Sequence, residues 1–330
     1  MNNLIKEKTA TKPKVLAVVG PTASGKSDLA VELAHKFNGE VISADSRQVY
    51  KGFNLASGKV PGRWRISGIK RIYAYQDIRH HLIDVVSPRK RFTVQKFKKK
   101  AQKEIVSISS RGKLPIMAGG TGFYVDTVLY DVEIPQVPPN KRLRAELEEL
   151  SNEQLLNRLS ALDPVRAKNI DVNNRRRVIR AIEIVVSSHS PVPEIELFNT
   201  KDSPYEILKI GIKLSDEELR RRIKSRLRHR LDEGMVEEIR KAHLLRTSWK
   251  RLEDLGLEFK YVAYHLQGII SYEEMQENII NQSWQFAKRQ MTWFKRDPNT
   301  IWIDVPAKAS QLAQDFLSHG ASPSSDQQET

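Results

Sequence analysis

The run "KVLAVVGPTASGKSDLAVELAHKF", from Lys14 to Phe37, limits what this 330-residue chain can fold into more than any other stretch. "VLAVV" is short, apolar and valine-rich, as a buried strand is, and after it Leu29, Leu33 and Phe37 recur at helical spacing. Between them, Gly20, Gly25, Lys26 and Ser27 meet the pattern G-x-x-x-x-G-K-[ST] in full. A glycine-rich loop between strand and helix aims successive backbone N–H groups at an anion. The lysine adds a point charge, and the serine hydroxyl can ligate Mg²⁺. A polyphosphate or diphosphate should therefore sit at the carboxyl end of the first strand.

Three further strand candidates follow: "EVISAD" (40–45), "HLIDVV" (81–86) and "LPIMAG" (114–119), with helical stretches between several of them. Such alternation implies βαβ units and a mainly parallel sheet, with ligands at the carboxyl ends of the strands. Asp45 and Ser46 then follow the second strand, and Gly119, Gly120, Thr121 and Gly122 the fourth. From "YDVEIPQVPPNK" onward, Pro135, Pro138 and Pro139 break the alternation, and "KRLRAELEELSNEQLLNRLSALD" and "NNRRRVIRAIEIVV" have helical periodicity. A second proline cluster closes that block. The strand candidate "ILKIGIKL" (207–214), a mostly helical stretch and a late "TIWIDVP" complete the pattern. The expected fold class is α/β: a P-loop-type parallel sheet core flanked by helices, with a mostly helical insertion domain. By residue, the core is 1–134 and 203–318, the insertion 135–202, and the polar, serine-rich end 319–330 a disordered tail.

Lys and Arg number 55 against 40 Asp and Glu, a net charge of +15. Such an excess attracts polyanions and is a usual footprint of nucleic-acid binding. The cations cluster in three runs: Ser87–Lys103, Asn174–Arg180 and Arg220–Arg230. In the last, Arg222, Arg226 and Arg230 form one helical stripe. A solvated face accounts for any single run; three together point to contact with a phosphate backbone. The absence of cysteine excludes disulfides, thiolate zinc sites and a cysteine nucleophile. No apolar run has the length of a leader peptide or a membrane span, so the expectation is a soluble, cytoplasmic protein, monomeric by default.

The same loop serves two chemistries. In a small-molecule kinase, Asp45 or Asp84 would complete an Mg²⁺ site, although neither follows the long apolar run typical of that role. If the loop instead holds the diphosphate of an alkyl diphosphate, it activates a leaving group. Asp45 then becomes a general base and Thr121 positions the nucleophile. Each also fits a bland role, Asp45 as a strand-end cap and Thr121 as a turn residue. A kinase has no need of such positive charge, and a non-catalytic nucleic-acid-binding ATPase module has no need of Asp45 and Thr121 at adjacent strand ends.

In order and spacing, "GPTASGKSDLAVELA", "VISADSRQVYKG", "HHLIDVVSP", "GGTGFYV", "NNRRRVIRAIEI" and "WQFAKRQMTWFKRD" resemble the tRNA dimethylallyltransferase (tRNA isopentenyltransferase) family, bacterial type, from about residue 14 to 304. The resemblance implies transfer of a dimethylallyl group from dimethylallyl diphosphate to N6 of the adenosine 3′-adjacent to the anticodon of tRNA. The loop would then hold the donor's diphosphate through Gly20, Thr22, Ala23, Ser24, Gly25, Lys26 and Ser27, with charge from Arg222 and Arg226 and with Mg²⁺ on Ser27. Asp45 would be the general base, and Thr121 would help hold donor and base. The anticodon stem-loop would meet Asp45, Ser46, Arg47, Gln48, Thr121, Arg175, Arg176, Arg177, Val178 and Ile179. Lys59, Arg144 and Arg289 would add contacts. Three places depart from the family pattern: a longer segment between Lys59 and His80, Ala56-Ser57-Gly58 before Lys59, and "GLEFKYVAY". Trp284, Phe286, Trp293 and Phe294 have the spacing of a helix core, though such rings could also stack on bases. His80 and His81 fit a structural role better than a metal site.

Overall fold

The computed structural model describes residues 12–194 and 197–319. The amino-terminal residues 1–11 and the expected tail, His319 apart, lie outside the described residues. The valine-rich run forms β1 (Lys14–Val19), which pairs in parallel with a strand on each side. A strand on each side and helices over the faces of the sheet explain a strand with no alternating polar position, Val15 to Val19 being fully buried. The described strands stand in the order β3 (Arg63–Ser67), β4 (Lys70–Tyr75), β5 (Ile78–His81), β2 (Gly39–Ser43), β6 (Leu114–Gly119), β1, β7 (Glu206–Ile212), β8 (Thr300–Ile303). From β5 to β8 every pairing is parallel.

Helix α1 (Lys26–Lys36) and the late α13 (Pro306–His319) share an apolar core with one face of this sheet, through Leu29, Leu33, Ala313 and Phe316. Strand β6 returns between β2 and β1, so a right-handed crossover carries the helix before it over the opposite face. There α2 (Val94–Ser109) packs on α3 (Gly122–Leu129) through the stacked rings of Phe97 and Tyr124. The insertion 132–196 is a separate compact unit. It comprises α4 (Lys141–Glu148), α5 (Asn152–Leu162), α6 (Pro164–Asn169) and α7 (Arg175–Ser188), with Leu147, Leu159 and Ile182 at its core. In the larger unit, α8 (Asp216–Asp232), α9 (Met235–Leu244), α10 (Trp249–Leu255), α11 (Leu257–Leu266) and α12 (Tyr272–Phe294) complete the helical part. Most of them close around Phe259, Ile239 and Met275, together with Val49 and Phe53.

Two expectations need correction. The strand expected at 81–86 ends at His81, because Leu82 and Asp84 take left-handed backbone angles (φ 60° and 55°) that break the ladder; only Val86 returns to bridge Tyr50. The long segment after Lys59 forms the antiparallel hairpin β3–β4, which the βαβ pattern did not foresee. The histidine pair has separate structural roles. His81 sets Nε2 against Glu40 (2.7 Å) and Nδ1 against Glu104 (2.8 Å), tying β5 to β2 and α2. Burial opposes the imidazolium, but the hydrogen bonds to Glu104 and Glu40 outweigh it and raise its pKa above the ordinary value. His80 is buried with Nδ1 against the Ile78 carbonyl, and burial lowers its pKa to about 4.

Candidate active site

Because β2, β6 and β1 are neighbours, their carboxyl ends deliver Asp45, Thr121 and the loop 20–25 to one place. The strand pairing continues past the strand ends. Ala44 N–H donates to the Ala118 carbonyl (2.8 Å) and Thr121 N–H to the Ala44 carbonyl (3.3 Å). Gly119 allows this closure, since a Cβ there would lie 2.2 Å from the Ala44 oxygen. Ser46 N–H then donates to Thr121 Oγ1 (3.1 Å), which leaves the threonine proton for a ligand. Asp45 Oδ1 accepts from Arg47 N–H (2.7 Å) and Gln48 N–H (3.3 Å) in an Asx turn, and Oδ2 accepts nothing among the described residues. One oxygen holds the aim of the carboxylate while the other can take a proton.

Opposite them, the loop leaves β1 and enters α1 through Gly25 at φ 87°, a left-handed angle that glycine takes at no steric cost. Lys26 Nζ donates to the Pro21 carbonyl (3.0 Å), and the buried Ser24 hydroxyl has no partner among the described residues. Arg226 of α8 reaches Thr22 Oγ1 (3.4 Å) and the Gly58 carbonyl (3.0 Å), while Arg222, its Nε on Glu218, lies beside Gly25. Burial and the Arg226 charge lower the Lys26 pKa to about 8 against an opposing pull from Asp45; burial and Arg230 lower Arg226 to about 10. Two cations close enough for Arg226 to depress Lys26, at a glycine loop that opens a helix, make a place for a multiply charged anion. Arg230, third in the stripe, is spent on Leu55 and Glu258.

Reasoning from sequence missed Gln290. Buried on α12, its Oε1 accepts from Thr22 N–H (2.8 Å) and its Nε2 donates to the Gly120 carbonyl (2.7 Å), so one side chain sets the phosphate loop against the Thr121 turn. It lies in the quoted run "WQFAKRQMTWFKRD", but helical spacing says only that this position faces the core. In the same run, Trp284 and Phe294 are buried, and Trp293 donates to Asp126 (2.6 Å). Phe286 is exposed with Arg289 beside its ring.

The other expected contacts are scattered. Arg47 lies along Gly256. Gln48 accepts from Ser43 and donates to Gly58, which also receives Arg226. Lys59 and Asp84 form a mostly buried ion pair, so neither group is open to a ligand. Within the insertion, Arg144 is bidentate on buried Glu183, Arg175 closes the α4–α5 junction through Leu147 and Glu148, and Val178 and Ile179 belong to the core. Arg176 and Arg177 are exposed.

The IPP transferase family model matches residues 48–297. The chain belongs to the IPP transferase family. "tRNA dimethylallyltransferase 1" of Geotalea daltonii is 38% identical over 309 residues, covering 92% of this chain and 95% of its own. The full-length tRNA isopentenylpyrophosphate transferase of Bacillus halodurans superposes with a TM-score of 0.64 at 32% identity, over 93% of this chain and 96% of that one. A eukaryotic dimethylallyltransferase solved acting on tRNA gives 0.74 at 25% identity, over 92% and 79%. With this membership the kinase alternative is not favoured. No helix of the described residues is long and apolar enough to cross a membrane.

Proposed function

We propose that this member of the IPP transferase family transfers a dimethylallyl group from dimethylallyl diphosphate to N6 of the adenosine 3′-adjacent to the anticodon of tRNA, releasing diphosphate. The observation that carries this reading is the meeting of a cationic phosphate loop with an Asp–Thr pair at three neighbouring strand ends. A neutral exocyclic amine is a poor nucleophile, so it needs a base on one side and a stabilised leaving group on the other. The bond from the donor's C1 to the diphosphate oxygen breaks as C1–N6 forms. The N6 proton passes to Asp45 Oδ2, and the charge left on the diphosphate meets Lys26, Arg226 and Arg222. Thr121 donates its free proton to hold the reactants in line. An anticodon loop can extrude a base at a cost of a few kcal/mol, which gives N6 access to such a site.

Mg²⁺ fits this donor set as the partner of a diphosphate. The Ser27 hydroxyl opens α1 with no hydrogen-bond partner among the described residues, and no group of three or more His, Cys, Asp or Glu there could hold a metal by itself. Held by Ser27 and the diphosphate, the ion would neutralise charge on the leaving group. For the tRNA, the exposed Arg176, Arg177 and Arg289 have the outward charge that backbone contact requires, while Arg47 is half-buried along Gly256.

Incubating the protein with Mg²⁺, dimethylallyl diphosphate and unmodified tRNA, then weighing the nucleosides, tests the reading. A five-carbon prenyl increment on adenosine that needs the donor and not ATP is expected; no increment alongside tight ATP binding would return the loop to a nucleotide. Gln290→Ala should lower kcat by about 10–10²-fold with tRNA affinity unchanged, because the donor and acceptor halves of the site lose their shared brace. Steady-state kinetics with a parallel binding titration separate that result from a general loss of fold, which would lower both.

A further inference from the structure

Of the three basic runs, the two later ones are partly committed elsewhere, with Arg175 and Arg230 taken up by protein oxygens and Arg222 and Arg226 placed at the phosphate loop. The first, Ser87–Lys103, is not. It opens on the active site's own margin: Asp84 N–H donates to the Gln48 carbonyl (3.0 Å), Val86 N–H to the Val49 carbonyl (3.0 Å) and Phe92 N–H to the Tyr50 hydroxyl (3.3 Å). Arg251 clamps the turn between through the Pro88 and Lys90 carbonyls (2.6 and 2.9 Å). Arg89, Lys90 and Arg91 are therefore exposed on a segment stitched to the residues that follow Asp45.

Helix α2 continues the patch. Phe97, Ala101, Ile105 and Ile108 are its buried line, which turns Lys96, Lys99, Lys100 and Lys103 outward as an exposed stripe. No carboxylate occurs between Asp84 and Glu104, and Glu104 is engaged by His81. None of these four lysines, nor Arg89, Lys90 or Arg91, has an ion-pair partner among the described residues; Lys98, by contrast, meets Asp131 at 2.8 Å. On other helices carboxylates share the surface with the cations, as Glu146 does with Arg142 on α4 and Glu218 with Arg221 on α8. A stripe left unneutralised beside the site is a surface suited to a polyanion.

We propose that the outer face of α2, with Arg89–Arg91 at its head, is a docking surface for the phosphate backbone of the same tRNA whose base enters the active site. This rests on the function proposed above and deepens it. Affinity for the polymer comes from a face that takes no part in the chemistry, so its loss separates binding from turnover.

The test combines Lys96→Ala, Lys99→Ala, Lys100→Ala and Lys103→Ala in the full chain and titrates it with tRNA at several salt concentrations. The slope of log affinity against log salt should fall by about 3, at 0.7–0.9 per lost phosphate contact. The KM for tRNA should rise by about tenfold or more with kcat at saturating tRNA unchanged, and the four arginine substitutions at these positions should restore both. An unchanged slope and KM would overturn the proposal. So would loss of binding to vesicles of anionic phospholipid with tRNA binding intact, which would assign the face to a membrane surface. If the wild-type protein transfers no prenyl group and the slope difference persists, the proposed function fails and the RNA surface stands.

Discussion

Asp45→Asn should lower kcat by about 10²–10⁴-fold, the range that a positioned general base contributes. Asparagine is the informative replacement, because its amide oxygen can still accept from Arg47 and Gln48 N–H and so keeps the turn that aims the side chain. Only the oxygen proposed to take the proton is lost. The affinity for tRNA should stay within about threefold, since a change confined to the transition state lowers kcat without changing ground-state binding. Single-turnover prenylation read beside a binding titration checks both, and a rate near wild type would remove Asp45 from the mechanism. Thr121→Ala should act in the same direction, with the further loss of the acceptor for Ser46 N–H.

The largest effect on stability is expected at Lys209. Its ammonium, wholly buried in β7, sits between Asp126 Oδ1 (2.5 Å) and Asp297 Oδ2 (2.6 Å), and Tyr130 and Trp293 donate to the same two carboxylates. Burial pushes the Asp126 pKa up, and the charge and hydrogen bond of Lys209 oppose that push. Lys209→Ala leaves two carboxylates without the cation and should cost about 3–5 kcal/mol, a large part of the ~5–15 kcal/mol that holds a domain together. Lys209→Met combined with Asp126→Asn and Asp297→Asn removes the charges along with the cation. Urea unfolding should find this variant more stable than Lys209→Ala, whereas equal midpoints would mean that packing, not charge, makes the lysine important. The network reaches the active site through Trp293, whose ring lies against Gly122 in the first turn after Thr121.

Much of this was legible from residues alone, for reasons particular to each. The phosphate loop announces itself because glycines and a lysine have few other uses in that order, whereas Asp45 and Thr121, each also fit for a cap or a turn, were singled out by their strand-end positions and by the family resemblance. Arg226 and Arg222 were found as a stripe, since helical spacing survives without knowledge of what the helix packs against. The hairpin at Arg63–Tyr75 went unseen because it replaces the helix that a βαβ pattern anticipates. Gln290 and Lys209 went unseen because their partners lie far away in sequence, at Thr22 and Gly120 for the one and at Asp126 and Asp297 for the other.

By itself, then, the sequence determined the local chemistry: a loop able to hold a diphosphate, a carboxylate and a hydroxyl at strand ends, and an excess of cations. Hydrogen-bonding geometry within a few residues is enough to specify those. Only the tertiary structure decided the strand order β2–β6–β1 that brings them together, and which arginines and lysines are consumed by internal carbonyls and carboxylates. Both depend on contacts between residues tens to hundreds of positions apart, where burial and pairing select the partner and local spacing carries no record of it.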